Sequence, residues 1–326
     1  MTATEPQLDG TEIKWKPTRD GYGDALVEMG ALDERIVVLG ADLSDSTRAL
    51  WFWKKYPERF FEFGIAEQNM LNAAAGLSLA GKIPWVSTYG VFVAGRAWDQ
   101  IRTTTCYSKL NVKIAGAHGG ISVGPDGATH QALEDVATMR VLPNMVVIVP
   151  CDYYETKKAV IWACKYVGPV YVRFGREPVP MVTGPEDPFE MGKANLVHDG
   201  KDLTIINNGP ILYECMKAVQ ALKAKGISAR LLNMHTVKPI DREAIAAAAR
   251  ETGAIVTVEE HQVQAGFGSA VAEVVVQTHA VPMRFIGIQD RFGESGNPDE
   301  LFKEFGLTAA DIVRAAEQVL EAKSRS

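Results

Sequence analysis

Short, unbroken apolar runs alternating with longer helical stretches constrain this 326-residue chain more than any other feature. Runs at 36–39, 85–88, 112–115, 145–149 and 170–172 read as strands, and 65–80, 92–107, 132–141 and 154–166 carry helical patterning between them. Strands that are apolar on both faces must be covered on both faces, which implies a parallel sheet flanked by helices. A second block repeats the pattern, with strands at 203–206, 229–232, 255–258 and 284–287 and helices at 212–224, 242–250, 267–277 and 309–322. Between the blocks, Pro178, Pro180, Gly184, Pro185 and Pro188 mark a break that reads as a linker. The expected fold is α/β: two doubly wound, mostly parallel-sheet domains over 15–176 and 191–326, joined by a linker at 177–190.

Composition narrows the function classes. A net charge of -6 argues against a general nucleic-acid binder, because phosphate backbones select basic surfaces. No apolar run approaches the ~18 residues that a membrane span needs. The acidic, polar stretch 1–9 has no apolar core of a signal peptide. Cys106, Cys151, Cys164 and Cys215 form no Cys-x-x-Cys pair, so reduced thiols in a cytoplasmic protein are expected. P-loop, Gly-x-Gly-x-x-Gly, His-Glu-x-x-His and Gly-x-Ser-x-Gly motifs are absent, and no Cys/His cluster offers metal ligands.

Three stretches carry chemistry-bearing residues. In FEFGIAEQNMLNAAAGLSLA (61–80), Glu67 sits in the first turn of a helix that is apolar almost all round and is expected to be buried. Such a carboxylate is costly unless paired or protonated. Glu67 either favours the positive end of the helix dipole and caps amides, or is held in a dry pocket for proton exchange. In STYGVFVAGRAWDQ (87–100), Tyr89 and Phe92 have a helix-entry spacing that core aromatics also show. The glycine-rich AHGGISVGPDGATHQ (117–131), with His118, Asp126 and His130, is too polar and flexible for core. Asp126 alone fits a Pro-Asp-Gly turn; the flanking histidines are not explained that way.

FGIAEQNM (63–70) resembles the glutamate motif of the transketolase-like pyrimidine-binding domain. The resemblance implies that Glu67 shares a proton with the aminopyrimidine ring of thiamine diphosphate, with Tyr89 and Phe92 as an aromatic wall around that ring. Gly95 departs from the third aromatic of standard transketolases. The 117–131 loop is similar to the family's substrate loop, which places His130 and Asp126 on the sugar and His118 near the entrance. His130 would hydrogen-bond the donor's carbonyl and C1 hydroxyl. In KPTRD (16–20), LGADLSDS (39–46) and YVRFGRE (171–177), the positions Arg19, Ser46 and Arg173 match the family's phosphate contacts, with Arg176 a possible substitute for Arg173. Guanidinium forks suit phosphate geometry. Asp42 and Leu43 match residues beside the cofactor's thiazolium.

The resemblance spans nearly the whole chain but about half of a transketolase. The Gly-Asp-Gly motif that binds Mg²⁺ and the diphosphate is not found. It therefore implies an N-terminal transketolase subunit as partner, carrying the diphosphate-binding domain and most Mg²⁺ ligands, in an assembly of two of each chain. The implied activity is transfer of a two-carbon ketol unit between sugar phosphates. Deoxyxylulose-phosphate synthase is the runner-up; Asn69 and His118 favour transketolase over it. The Asp126/His130 loop counts against a 2-oxoacid dehydrogenase β subunit, and the retained site residues against a non-catalytic scaffold. In VTVEEHQVQAGFGSAVAE (256–273), which resembles the C-terminal domain, His261 is an acid/base candidate for which a structural or interface role is favoured.

Overall fold

Two sheets and a short ribbon organise residues 13–325, the part of the chain described by the computed structural model; the polar stretch 1–9 lies outside the described residues. The first strands are β1 (Trp15–Pro17), β2 (Ile36–Gly40), β3 (Phe60–Glu62), β4 (Ile83–Tyr89), β5 (Lys113–Ala117), β6 (Val146–Ile148), β7 (Val170–Arg173) and β8 (Pro178–Pro180). There follow β9 (Asn195–His198), β10 (Leu203–Asn208), β11 (Ala229–Asn233), β12 (Thr236–Lys238), β13 (Ile255–Gln262) and β14 (Met283–Ile288). The larger sheet has the order β12-β6-β7-β5-β4-β2-β3, and the smaller β14-β13-β10-β11-β9. Every neighbouring pair is parallel except β12 with β6 and β9 with β11. Strands β2, β4, β5 and β7 are buried along their whole length, the signature of a sheet covered on both faces.

Sequence pattern and structure part company in several places. The proline-rich stretch is no free linker, because β8 pairs antiparallel with β1, and Asp152 accepts hydrogen bonds from Val182 N, Thr183 N and Thr183 Oγ1. Strand β12, which follows β11 in sequence, leaves the smaller sheet to join the edge of the larger one. The two halves also share an apolar core that runs from Leu39, Met70 and Val86 through Met145 and Val147 to Leu232, Met234 and Val271. The helix expected at 65–80 begins at Glu67, since Ala66 just before it is non-helical at φ −138° and ψ 60°. That expected at 92–107 is cut at Ala97 into Gly90–Arg96, Trp98–Gln100 and a π-type turn over Ile101–Cys106. Among the described residues no helix is long and apolar enough to cross a membrane, and all four cysteines are free and buried.

A buried polar seam fastens the two halves. Arg173 Nε lies 3.0 Å from Asp135 Oδ2, and its Nη2 donates to Ala132 O and Glu260 O at 2.7 and 2.9 Å. Tyr171 Oη donates to the same Asp135 oxygen at 2.6 Å. Gly116 is required beside it, because a Cβ there would sit 2.1 Å from the Tyr171 hydroxyl. Glu260 accepts from Ser122 N across the seam. His261 is buried, with Ala137 N donating to its Nε2 and its Nδ1 2.7 Å from Gln262 O. This pattern fits a neutral ring protonated on Nδ1, and burial pulls its pKa down from 6.5 to about 4.

An acid-linked loss of stability follows. The unfolded imidazole takes up a proton below about 6.5 while the folded ring stays neutral to about 4, so His261 costs stability as pH falls through that window. Between about pH 7.5 and about pH 5 this amounts to about 2 kcal/mol. In His261→Asn the drop in melting temperature between those two conditions is expected to be smaller than in the unsubstituted chain. An equal drop would contradict burial of the neutral ring.

Candidate active site

Parallel pairing aligns the carboxyl ends of β2, β4, β5 and β7, so the segments that follow them meet at one sheet edge. Gly40 pairs with Ser87, Tyr89 with Ala117, and Gly116 with Arg173. Open α/β sheets form ligand crevices at this edge. Here His118 is 1% exposed and stacks on Tyr89 with ring centroids 3.7 Å apart. Phe92 is stacked beside Tyr89 at 5.7 Å, and His130 stands edge-on to both rings. His130 Nδ1 lies 2.8 Å from Thr129 Oγ1. Leu43 and Phe92 pack on the apolar cluster that contains Tyr89.

Glu67 opens the helix Glu67–Leu79 and is 3% exposed. Its Oε1 accepts a 2.8 Å hydrogen bond from Arg96 Nη1. The Arg96 guanidinium lies 4.2 Å above the Phe92 ring, which ties the carboxyl to the aromatic wall. Much of the rest of this helix is exposed, including Asn69, Asn72, Gly76 and Leu79, although its apolar pattern predicts burial all round. Position 95 is open, with nothing within 4 Å of where a Cβ would lie.

Cationic groups gather on the other side. Arg19 Nη1 donates to Ser46 O at 2.8 Å, while its buried Nε has no protein partner. Burial first, then the neighbouring Arg48, lowers the Arg19 pKa. Arg176 pairs with Asp126 at 2.7 Å and reaches Glu177 at 3.3 Å. His118 is driven down to about 3, by burial first and then by Arg19, Arg176, His130 and Arg48, so it is neutral across the physiological range. Its Nδ1 is buried without a protein partner. Asp42, exposed and at φ 58°, donates its amide to Glu62 Oε1 at 2.7 Å.

Arg173 stands apart from the others. The expectation that it meets a phosphate is corrected by its surroundings: 3% exposed, it is committed to Asp135, Ala132 O and Glu260 O inside the domain seam. Its neighbour Arg176, half-buried on the loop after the strand, is the guanidinium at the site edge. Glu67, Tyr89, Phe92, His118 and His130 are brought together, as are Arg19 with Ser46 and Asp126 with Arg176. Arg96, Arg48 and Gln131 were missed by sequence reasoning. A signal existed for Arg96, which follows Phe92 by four residues and so shares its helix face. Among the described residues no group of three or more His, Cys, Asp and Glu could hold a metal ion.

Residues 15–181 match the family model for the transketolase pyrimidine-binding domain, and 192–312 that for the transketolase C-terminal domain. The chain belongs to the transketolase family. A Methanocaldococcus jannaschii protein named for a transketolase C-terminal section is 48% identical over 303 residues, spanning 92% of this chain and 95% of that protein. The 6-deoxy-6-sulfo-D-fructose transketolase subunit SqwH of Clostridium sp. (strain MSTE9) is 42% identical, spanning 94% and 95%. A solved structure described as a split gene transketolase, inactive β4 tetramer, is 50% identical with a TM-score of 0.88, covering 94% of this chain and 99% of that one.

In this transketolase-family chain the second half braces the histidine loop. Gln131, 2% exposed, donates to Ile121 O, Gly124 O and Glu294 O at 3.1, 3.5 and 2.9 Å, joining the loop to the 291–297 segment. Gln131→Leu leaves those carbonyls, two of them buried, without their donor, a loss of about 1–3 kcal/mol. Hydrogen exchange is expected to speed up in 118–130 and 291–297 together. Exchange that speeds up in neither segment would show that Gln131 is not the brace.

Proposed function

We propose that this chain is the pyrimidine- and sugar-binding subunit of a two-chain transketolase, moving a two-carbon ketol unit from a ketose phosphate to an aldose phosphate. The observation that carries this is Glu67: a buried carboxyl at a helix start, tied through Arg96 to the face of Phe92. An aminopyrimidine fits such a set, with a carboxyl for a ring nitrogen and an aromatic face for the ring plane. When bound, thiamine diphosphate supplies the carbon nucleophile that breaks and re-forms the ketose C–C bond. Glu67 would share a proton with the ring nitrogen N1′, with Tyr89 and Phe92 walling the ring. Asp42 and Leu43 would lie beside its thiazolium.

The remaining residues suit a phosphorylated sugar. His130 would hydrogen-bond the donor's carbonyl and C1 hydroxyl, stabilising charge as it develops on oxygen. Asp126 would read hydroxyl stereochemistry. His118, being neutral, can hydrogen-bond a substrate near the entrance without adding charge. Arg19, Ser46 and Arg176 would take the terminal phosphate, Arg176 replacing the buried Arg173 in that role. The diphosphate and Mg²⁺ would be held mainly by an N-terminal partner subunit, with two of each chain in the assembly. The inactive β4 tetramer formed by a 50% identical relative supports the need for that second chain.

Three measurements bear on these assignments. Glu67→Gln, reconstituted with the partner, is expected to lose about a hundredfold or more of its ketol-transfer rate. Near-normal transfer, or a preference for decarboxylating pyruvate, would overturn the proposal. Arg176→Gln is expected to raise KM for a phosphorylated aldose about tenfold while leaving an unphosphorylated one unchanged. Equal effects on both would remove Arg176 from the phosphate site. Mass measurement of the mixed chains is expected to give two of each; tight cofactor binding by this chain alone would contradict a shared site.

A further inference from the structure

We propose that Arg96 is a positioning residue for Glu67, fixing where its carboxyl points relative to the aromatic wall; this rests on the cofactor assignment above. Glu67 is nearly sealed from solvent, and the helix it opens has no side-chain cap. Burying a carboxylate is tolerated when a cation is held against it in good geometry. Arg96 provides that cation from a different helix, at 2.8 Å, while its own side chain is half exposed.

Geometry limits where the guanidinium can go. Its plane rests over Phe92 at 4.2 Å, four residues back on the same helix, Gly90–Arg96. The backbone turns away directly afterwards at Ala97, φ −108° and ψ 15°, so Arg96 is the last residue of its helix. Its carbonyl accepts from Gln68 Nε2 at 3.1 Å, so adjacent residues 67 and 68 are both bonded to residue 96. Gly95 contributes no side chain and its surroundings are open, leaving Arg96 to support this side of the site. One residue thus contacts both the carboxyl and a face of the Phe92 ring, the two groups assigned to the pyrimidine. A charged partner, rather than an aromatic one, sets the carboxyl's direction.

The test uses the complex with the partner subunit and two substitutions, Arg96→Met and Arg96→Lys. In Arg96→Met, thiamine diphosphate affinity is expected to fall about tenfold to hundredfold, and kcat at saturating cofactor to fall with it, while KM for the sugar is unchanged. Arg96→Lys, which keeps the charge, is expected to recover most of both losses. Unchanged affinity and kcat in Arg96→Met, with Glu67→Gln inactive, would overturn the positioning role and leave the cofactor assignment standing. Losses that track a lowered melting temperature and are not restored by Lys would also overturn it. A fully active Glu67→Gln would instead bring down the assignment beneath it.

Discussion

The buried pair of Asp135 and Arg173 is the interaction on which the arrangement depends. Arg173 ends β7, yet its guanidinium reaches across the sheet edge to carbonyls in both halves of the chain, Ala132 O and Glu260 O. Two charges taken out of water are stable only with near-complete hydrogen bonding, and here Tyr171 adds its hydroxyl to Asp135. The pair therefore ties the smaller sheet's half of the chain to the larger sheet through Glu260 O. The segment that returns from the histidine loop, at Ala132, is fixed by the same guanidinium. Removing either partner would strand the other charge inside, and Gly116 leaves room for the Tyr171 hydroxyl that bonds Asp135.

The site is set mainly by the larger sheet. The aligned ends of four parallel strands bring Tyr89, His118, Arg176 and the 42–46 segment to one edge. The second half of the chain contributes a brace, with Gln131 bonded to the 291–297 segment. His118 lies among Arg19, Arg48 and Arg176, whose charge together with burial keeps its ring neutral. A neutral imidazole thus sits among three guanidinium groups at this edge.

Much of this was legible in the sequence, and the exceptions have physical causes. Strands such as 36–39 and 170–172 stood out because burial on both faces leaves no polar residue in the run. Short edge strands did not: Pro178–Pro180 is rich in proline, and Thr236–Lys238 pairs with a sheet built almost 90 residues earlier in the chain. The helix Thr18–Leu32 was missed because its three glycines and mixed polar residues blur the helical period. Arg173 and Arg176 could not be ranked by residue type. Alternation held the clue, since Tyr171 and Arg173 point to the same face of β7 and share one buried partner. Glu67 was recognisable as a buried acid, whereas the sequence linked Arg96 only to Phe92 and not to Glu67 on the separate helix.

In the proposed assembly, Glu67 and Phe92 face the pyrimidine of thiamine diphosphate in a pocket that two chains close. A structure of this chain in complex with the diphosphate-binding subunit and the cofactor tests it most directly. The Glu67 carboxyl is expected within hydrogen-bonding distance of ring nitrogen N1′, the ring against Phe92, and the diphosphate on the other chain. A bound cofactor with Glu67 turned away from its ring would contradict it.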